Sequence, residues 1–413
     1  MSTATTTDSA DFYALEALLD DDEQNFLHRV RDFMKSEVES SVNQHWQRGS
    51  FPFEIVPGFR QLGLAGLPYQ GFGCPGRSFL LDGMVAMELA RTDPSIATFA
   101  GVHGGLSMGS IYLCGSEEQK QQYLPDMARF DKIGAFGLTE PDVGSGASGG
   151  LTTTARKDGD SWILNGQKKW IGNATFGDLT IIWAKDVADG RVKGFIVAND
   201  TPGFSTTKLV DKIALRIVQN AVITLDDVRV SEDDRLQNAN SFRDTAEVLR
   251  MTRAGVAWMA VGCARGAYEN ALTYALSREQ FGRPIAGFQL VQDLLVRMLG
   301  NITSSWALCA RLSQLQDEGR AEDRHSSLAK AWCTVRMRET VGYARELLGG
   351  NGILLEHNVG RFVADAEAIY SYEGTRDMNT LIVGRSITGL SAFVSMEDNT
   401  EMTDLTDLTE WIR

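Results

Sequence analysis

Leu179-Thr-Ile-Ile-Trp-Ala184, Gly194-Phe-Ile-Val197 and Ala221-Val-Ile-Thr-Leu225 are short β-branched and aromatic runs in the middle of a chain whose two flanks are helical in pattern. Such residues suit a pleated surface, and Gly134-Ala-Phe-Gly-Leu-Thr139 and Ser161-Trp-Ile-Leu164 extend the series upstream. Asp158-Gly-Asp160 and Asp189-Gly190 supply hairpin-type turns. A small β domain is therefore expected over residues 132–240. Before it, residues 1–131 read as helical: Asp20-Asp-Asp-Glu23 suits a helix start, and Phe26, Val30 and Phe33 follow at helical spacing. Ser116-Glu-Glu-Gln119 has the form of a capping box leading into Tyr123, Leu124 and Met127. After the β runs, helical periodicity returns over 242–280, 286–318 and 323–348, giving a helical domain over 241–395. Residues 396–413 read as an acidic tail. The architecture is α–β–α, an α+β multidomain chain.

The chain has 413 residues, 43% apolar and 23% charged, which allows two or three domains with a sizeable core. Its net charge of −14 has the wrong sign for neutralising phosphates, so nucleic-acid binding is not expected. No run approaches the roughly 18 to 20 apolar residues of a membrane span. Five dispersed cysteines without C-x-x-C, and five histidines without H-E-x-x-H, point to neither a disulfide framework nor a metal site. With neither a leader pattern nor a terminal S-K-L, a cytoplasmic location is expected.

Five stretches have chemical potential. Gly144-Ser-Gly-Ala-Ser-Gly-Gly150 exposes backbone N–H groups that suit a pyrophosphate, or it is a plain surface loop; it matches neither the Rossmann nor the P-loop pattern. Trp170, in Lys169-Trp-Ile-Gly-Asn173, either walls a planar cofactor or fills a core. Ser277-Arg-Glu-Gln-Phe-Gly-Arg283 links two helices and offers two arginines for phosphates or for solvent. Leu347-Leu-Gly-Gly-Asn-Gly352 is either a C-cap or a place of close ligand approach. Tyr372-Glu-Gly-Thr-Arg-Asp377 sets a carboxylate beside Ile369, Tyr370 and Tyr372. An apolar pocket there would raise its pKa, as a general base needs; a surface loop is the alternative.

Together and in this order, Phe136-Gly-Leu-Thr-Glu-Pro141, Leu164-Asn-Gly-Gln-Lys-Lys-Trp-Ile171, Ser277-Arg-Glu-Gln-Phe-Gly282, Leu348-Gly-Gly-Asn-Gly352 and Tyr372-Glu-Gly-Thr375 resemble the acyl-CoA dehydrogenase family. The likeness runs over about residues 25–394. Ser386-Ile-Thr-Gly389 and Lys212-Ile-Ala-Leu-Arg-Ile-Val-Gln-Asn220 are similar to the branch of glutaryl-CoA dehydrogenases and plant-type short-chain acyl-CoA oxidases. The resemblance implies a helical N-terminal domain, a β domain and a C-terminal four-helix bundle that binds FAD, in a homotetramer or dimer. It assigns Phe136, Leu138, Thr139, Gly144 and Ser145 to the flavin and its phosphates, and Trp170, Ile171 and Gly172 to the isoalloxazine wall. Arg278, Gln280 and Phe281 would reach FAD of a neighbouring subunit. Phe288, Gln289, Glu346, Leu347, Gly349 and Gly350 would surround the adenosine end, and Thr375 and Asp377 complete the flavin site. Ser145, Arg253, Tyr372 and Gly374 would touch the acyl-CoA substrate.

The implied reaction is α,β-dehydrogenation to a trans-2-enoyl-CoA in fatty-acid β-oxidation. Glu373 takes the α-proton while the Glu373 N–H and an FAD ribityl hydroxyl polarise the thioester carbonyl; electrons pass to an electron-transfer flavoprotein. Relatives with the base on the first long helix of the C-terminal domain have a carboxylate that Val248-Leu-Arg-Met-Thr252 lacks. Two positions depart from the pattern. Ala97, in Asp93-Pro-Ser-Ile-Ala-Thr-Phe-Ala100, stands where glutaryl-specific members carry Arg, which implies a neutral acyl chain and no decarboxylation. Gly172 stands where many dehydrogenases carry a hydroxyl residue, which keeps an oxidase passing electrons to O₂ as an alternative. A catalytically silent binding protein of the same fold is the other.

Overall fold

The structure is a computed structural model and describes residues 10–392; the expected acidic tail lies outside them. Seven helices come first: α1 Asp21–Phe33, α2 Val42–Arg48, α3 Val56–Leu62, α4 Phe79–Thr92, α5 Pro94–Ala100, α6 Met108–Cys114 and α7 Glu117–Ala128. The Asp20 side chain accepts from Glu23 N at 2.9 Å and starts α1 beneath three further carboxylates. The capping box of Ser116 and Gln119 starts α7, and Gln119 Nε2 also donates to the carbonyls of Asp233 and Arg235, tying this helix to the β domain.

The β domain is a seven-stranded mixed sheet: β1 Gly134–Gly137, β2 Thr154–Asp158, β3 Ser161–Ile171, β4 Leu179–Asp186, β5 Val192–Ala198, β6 Phe204–Lys208 and β7 Ala221–Ser231. Its order is β1-β4-β2-β3-β7-β6, with β5 on β4. One face buries Trp162, Ile182, Phe195, Val197, Ile223 and Val228 as a separate small core. The short helix α8, Ala147–Gly150, lies in the β1–β2 connection.

Five helices follow: α9 Phe242–Ser277, α10 Gln289–Asp317, α11 Asp323–Leu347, α12 Val359–Ser371 and α13 Arg376–Thr388. At 36 residues, α9 is about 54 Å long. It runs beside α10, α11 and α12, and α4 of the first third lies along it. Close approach of α4 and α9 requires small residues at the crossing. A Cβ at Gly83 would fall 2.1 Å from Trp258 Nε1, and one at Gly262 2.1 Å from Met87 O. Buried Glu88 on α4 binds Arg31 and Arg265 at 2.9 Å and Arg91 at 3.1 Å, so a single carboxylate joins α1, α4 and α9. The helical thirds consequently share one apolar core that also takes in Phe136, Leu138 and Trp183 of the sheet. Among the described residues no helix is long and apolar enough to cross a membrane.

Candidate active site

Helix α12 ends because the chain reverses. Tyr372 is extended, and Glu373 and Gly374 both have positive φ, +52° and +84°. The Thr375 hydroxyl then accepts from Met378 N at 3.3 Å and starts α13. A non-glycine residue in the left-handed region costs of order 1 kcal/mol or more, and such strain clusters at functional sites. Around the turn stand Thr252 and Arg253 of α9 and Lys330 of α11. Burial pushes the Glu373 carboxyl above its ordinary pKa, while the Thr252 hydroxyl, the Lys330 ammonium and the Arg253 guanidinium oppose the shift. Glu373 Oε2 is sealed from solvent and has no hydrogen-bond partner among the described residues. A buried carboxyl oxygen without a partner, at raised pKa, is the condition of a general base awaiting a proton.

The wall opposite is built by α5 and the π-helical turn Gly101–Ser107 that extends it. The Tyr372 hydroxyl lies 3.4 Å from Thr98 Oγ1 and 3.8 Å from Met259 Sδ. Gly105 faces Thr252, where a Cβ would come within 3.3 Å of Cγ2. The same segment reaches the β domain, since Asn173 Nδ2 donates to Phe99 O at 3.2 Å and Gly172 packs against Val102. Residues 97–105 thus link the surroundings of Glu373 to those of Trp170. Ala97 is buried, with no charged group of its own to offer.

On the β side, the β3–β7 ladder breaks register between Lys168 and Ile171. Bulges of this kind re-aim side chains beside sites. Trp170 has φ +69° and is 55% exposed, whereas Ile171 is buried. The core-filling alternative for Trp170 therefore fails. Asn220 Nδ2 holds the Trp170 carbonyl at 3.0 Å, and Lys169 N donates to Thr139 O at 2.8 Å, which sets residues 136–139 alongside. Beneath them Lys168 Nζ donates to Leu138 O at 3.1 Å and to buried Glu140 at 2.8 Å. Burial brings the Lys168 ammonium down to about 8, and that ammonium, with the hydrogen bonds from Thr152, holds Glu140 down at about 2 against its own burial. Past this anchor Gly144, Ser145, Gly146 and Gly149 are exposed, with open space at each glycine. An exposed indole beside an open glycine-rich backbone fits a planar cofactor with a phosphate tail.

Arg278, Gln280 and Phe281 stand on a two-strand hairpin, β8 Glu279–Gln280 and β9 Arg283–Pro284, at the far end of α9. Phe288 stacks under Arg283 at 4.2 Å and meets Phe281 edge-on at 6.0 Å, just before Gln289 opens α10. Glu346 and Leu347 close α11, with Gly349 and Gly350 in the turn beyond it. This group has no hydrogen bond, ion pair or ring contact with residues 136–145 or 170–172 among the described residues. Arg253 is engaged by Asp323, and Asp377 is exposed beside Arg376. Reading the sequence left out Thr98, Val102 and Lys330. Lys330 is the one charged side chain among the buried residues of α11, which also include Ser326, Ser327 and Thr334, and nothing in the sequence marks it as buried.

Models of the acyl-CoA dehydrogenase N-terminal, middle and C-terminal domains match residues 20–131, 135–228 and 242–388 in succession. The chain is 32% identical over 372 residues to the probable acyl-CoA dehydrogenase YngJ of Bacillus subtilis (strain 168), across 89% of this chain and 98% of that protein. A glutaryl-CoA dehydrogenase from Mycobacterium smegmatis in complex with FADH2 superposes with a TM-score of 0.89 at 36% identity, over 92% of this chain and 98% of that one. A chain from the structure of the electron transferring flavoprotein of Acidaminococcus fermentans gives 0.87 at 29% identity, over 90% and 98%. This chain belongs to the acyl-CoA dehydrogenase family. It is an FAD-dependent oxidoreductase acting on CH–CH donors of acyl-CoA thioesters.

Proposed function

We propose that the chain oxidises a neutral, short- to medium-chain acyl-CoA to its trans-2-enoyl-CoA, with Glu373 as the base. The observation that carries this reading is the buried, unpartnered Oε2 of Glu373 at raised pKa. The Glu373 N–H also has no acceptor among the described residues, leaving it to polarise the thioester carbonyl and acidify the α-proton. Bound FAD supplies the acceptor for the hydrogen that leaves the β-carbon. Trp170 would wall its ring system, and Phe136, Leu138, Thr139 and the 144–149 backbone would hold its tail. Met259, against the Tyr372 hydroxyl, and Val102, against Gly172, would help to keep water from the reacting carbons.

Glu373→Gln keeps the shape and removes the base, so flavin reduction by butyryl-CoA should slow by about 10²–10⁴-fold or more. A loss below tenfold refutes the assignment.

The separation of the Arg278–Phe281 hairpin from the β-domain site supports its service to a neighbouring subunit. Phe281, Leu290 and Val296, exposed at 94, 83 and 69%, support a homotetramer. Electrons would pass to an electron-transfer flavoprotein, in cytoplasmic β-oxidation, with domains at 1–131, 132–240 and 241–395. Gly172, which has no hydroxyl, favours O₂ as a second acceptor; recolouring of substrate-reduced enzyme in air, with peroxide, would select it.

A further inference from the structure

Lys330 is buried completely on α11, yet among the described residues no carboxylate lies within ion-pair distance of its ammonium. Its Nζ instead donates to the Gly374 carbonyl and, at 3.4 Å, to Tyr370 O. Asn379 Nδ2, from α13, holds the same Gly374 carbonyl at 2.9 Å. Gly374 O therefore sits between two buried donors, and it belongs to the turn that gives Glu373 its positive φ. An ammonium is expensive to bury without a counter-charge. A neutral donor would hold the carbonyl at lower cost, so the charge itself calls for a reason.

We propose that Lys330 is a positioning residue for the base. It grips the Gly374 carbonyl and so fixes the left-handed turn presenting Glu373, and its positive charge favours the carboxylate form that accepts the α-proton. This rests on Glu373 being the base.

The surroundings are compatible with that role. From α9, Thr252 and Arg253 face the same space, with Arg253 engaged by Asp323 at the start of α11. The turn itself adds the Tyr372 phenol, and α12 and α13 add only the Tyr370 carbonyl and the Asn379 amide. Arg253 is thus spoken for by a carboxylate, while Lys330 is not. Burial brings the Lys330 ammonium down to about 7, and the Glu373 carboxylate opposes that shift. The competing role is a cap on the last carbonyls of α12, which would affect stability without moving the titration of the base.

The test isolates proton removal with a 3-thia acyl-CoA. Its α-C–H bond can break, with the proton going to Glu373 and the electron pair staying in the enolate, but sulfur at the β-position has no hydride to give. Enolate absorbance in the FAD-loaded enzyme is followed against pH for the parent, Lys330→Gln, Lys330→Met and Glu373→Gln. An opposite charge nearby shifts a carboxyl by about 1–3 pH units. Loss of the charge should accordingly raise the midpoint of enolate formation by about one unit in both Lys330 variants. Lys330→Gln, which keeps a donor for Gly374 O, should recover the rate of flavin reduction at high pH; Lys330→Met should stay at least tenfold slower with little change in KM. Should the methionine variant fail to fold, the glutamine midpoint decides. A midpoint equal to the parent's overturns the proposal. Enolate formation by Glu373→Gln would instead overturn the base assignment beneath it.

Discussion

The packing of Gly172 against Val102 gives a test that needs no knowledge of the substrate. A Cβ at position 172 would lie 3.3 Å from Val102 Cγ2, 3.6 Å from Val218 Cγ1 and 4.0 Å from Asn220 Nδ2. The first distance is a few tenths of an ångström too short, and the other two are ordinary contacts. Gly172 does not have a positive φ, so backbone strain is not an issue. Gly172→Ala should then be close to neutral, because the mild crowding is offset by about 0.4–1 kcal/mol from a stiffer unfolded chain. Gly172→Thr adds two further heavy atoms in a closed space. Overpacking of this size costs about 1–3 kcal/mol. Val102→Ala should relieve it, with a favourable coupling of about 1 kcal/mol or more in a double-mutant cycle. Denaturant unfolding of the parent, Gly172→Ala, Gly172→Thr, Val102→Ala and the Gly172→Thr/Val102→Ala double variant, each with its FAD content matched, measures both quantities. If threonine costs no more than alanine, or if Val102→Ala leaves its cost unchanged, Val102 is not what occupies the space at Gly172. The wall linking Trp170 to Glu373 would then need to be redrawn.

Three other outcomes are expected. If the far end of the acyl chain lies against buried Ala97, as the resemblance implies, a distal carboxylate finds no cation there and glutaryl-CoA should reduce the flavin at least 100-fold more slowly than butyryl-CoA, an unpaired buried carboxylate costing several kcal/mol; comparable stopped-flow rates would show another cation at that end. Lys168→Met strands the buried Glu140 and should destabilise the fold by about 3–5 kcal/mol, with weaker FAD retention, both read by thermal unfolding and by spectral titration. Asp365 accepts from Trp46 Nε1 at 3.0 Å and Leu215 N at 2.6 Å, and burial with Asp93 nearby pushes it up to about 7. A carboxyl raised in the folded state favours folding while protonated, so its contribution should fade between about pH 4 and 7 as pH rises. Asp365→Asn should flatten that part of the stability profile relative to the parent; parallel profiles would count against it.

The three long helices of the C-terminal third were legible because each repeats an apolar stripe over many turns. They are observed at 242–277, 289–317 and 323–347, within a few residues of the expected spans. Asp20 and Ser116 mark helix starts by bonds to residues three positions on, a purely local matter. Strands β2 and β6 escaped notice because Arg156-Lys-Asp158 and Ser205-Thr-Thr-Lys208 are largely exposed and show no apolar alternation. Their place in the sheet comes from neighbours, not from their own side chains.

For the site, the motifs around Trp170 and Glu373 could be read from the sequence because they are contiguous, and each needs an unusual backbone that a short string of residues encodes. Their mutual arrangement was not contiguous. Thr98 meets Tyr372 across 274 positions, and Lys330 reaches Gly374 across 44. Thr98 and Val102 look like any residues of an apolar helix. Lys330 looks like a solvated lysine until its burial is known. By itself the sequence determined the α–β–α order and the family, and it singled out the carboxylate proposed as the base, since those rest on local pattern and residue type. Only the tertiary structure decided which oxygen is left unpaired, which ammonium grips the turn and which side chain fills the space at Gly172. Those follow from packing between distant segments, where burial and charge are properties of the assembled interior.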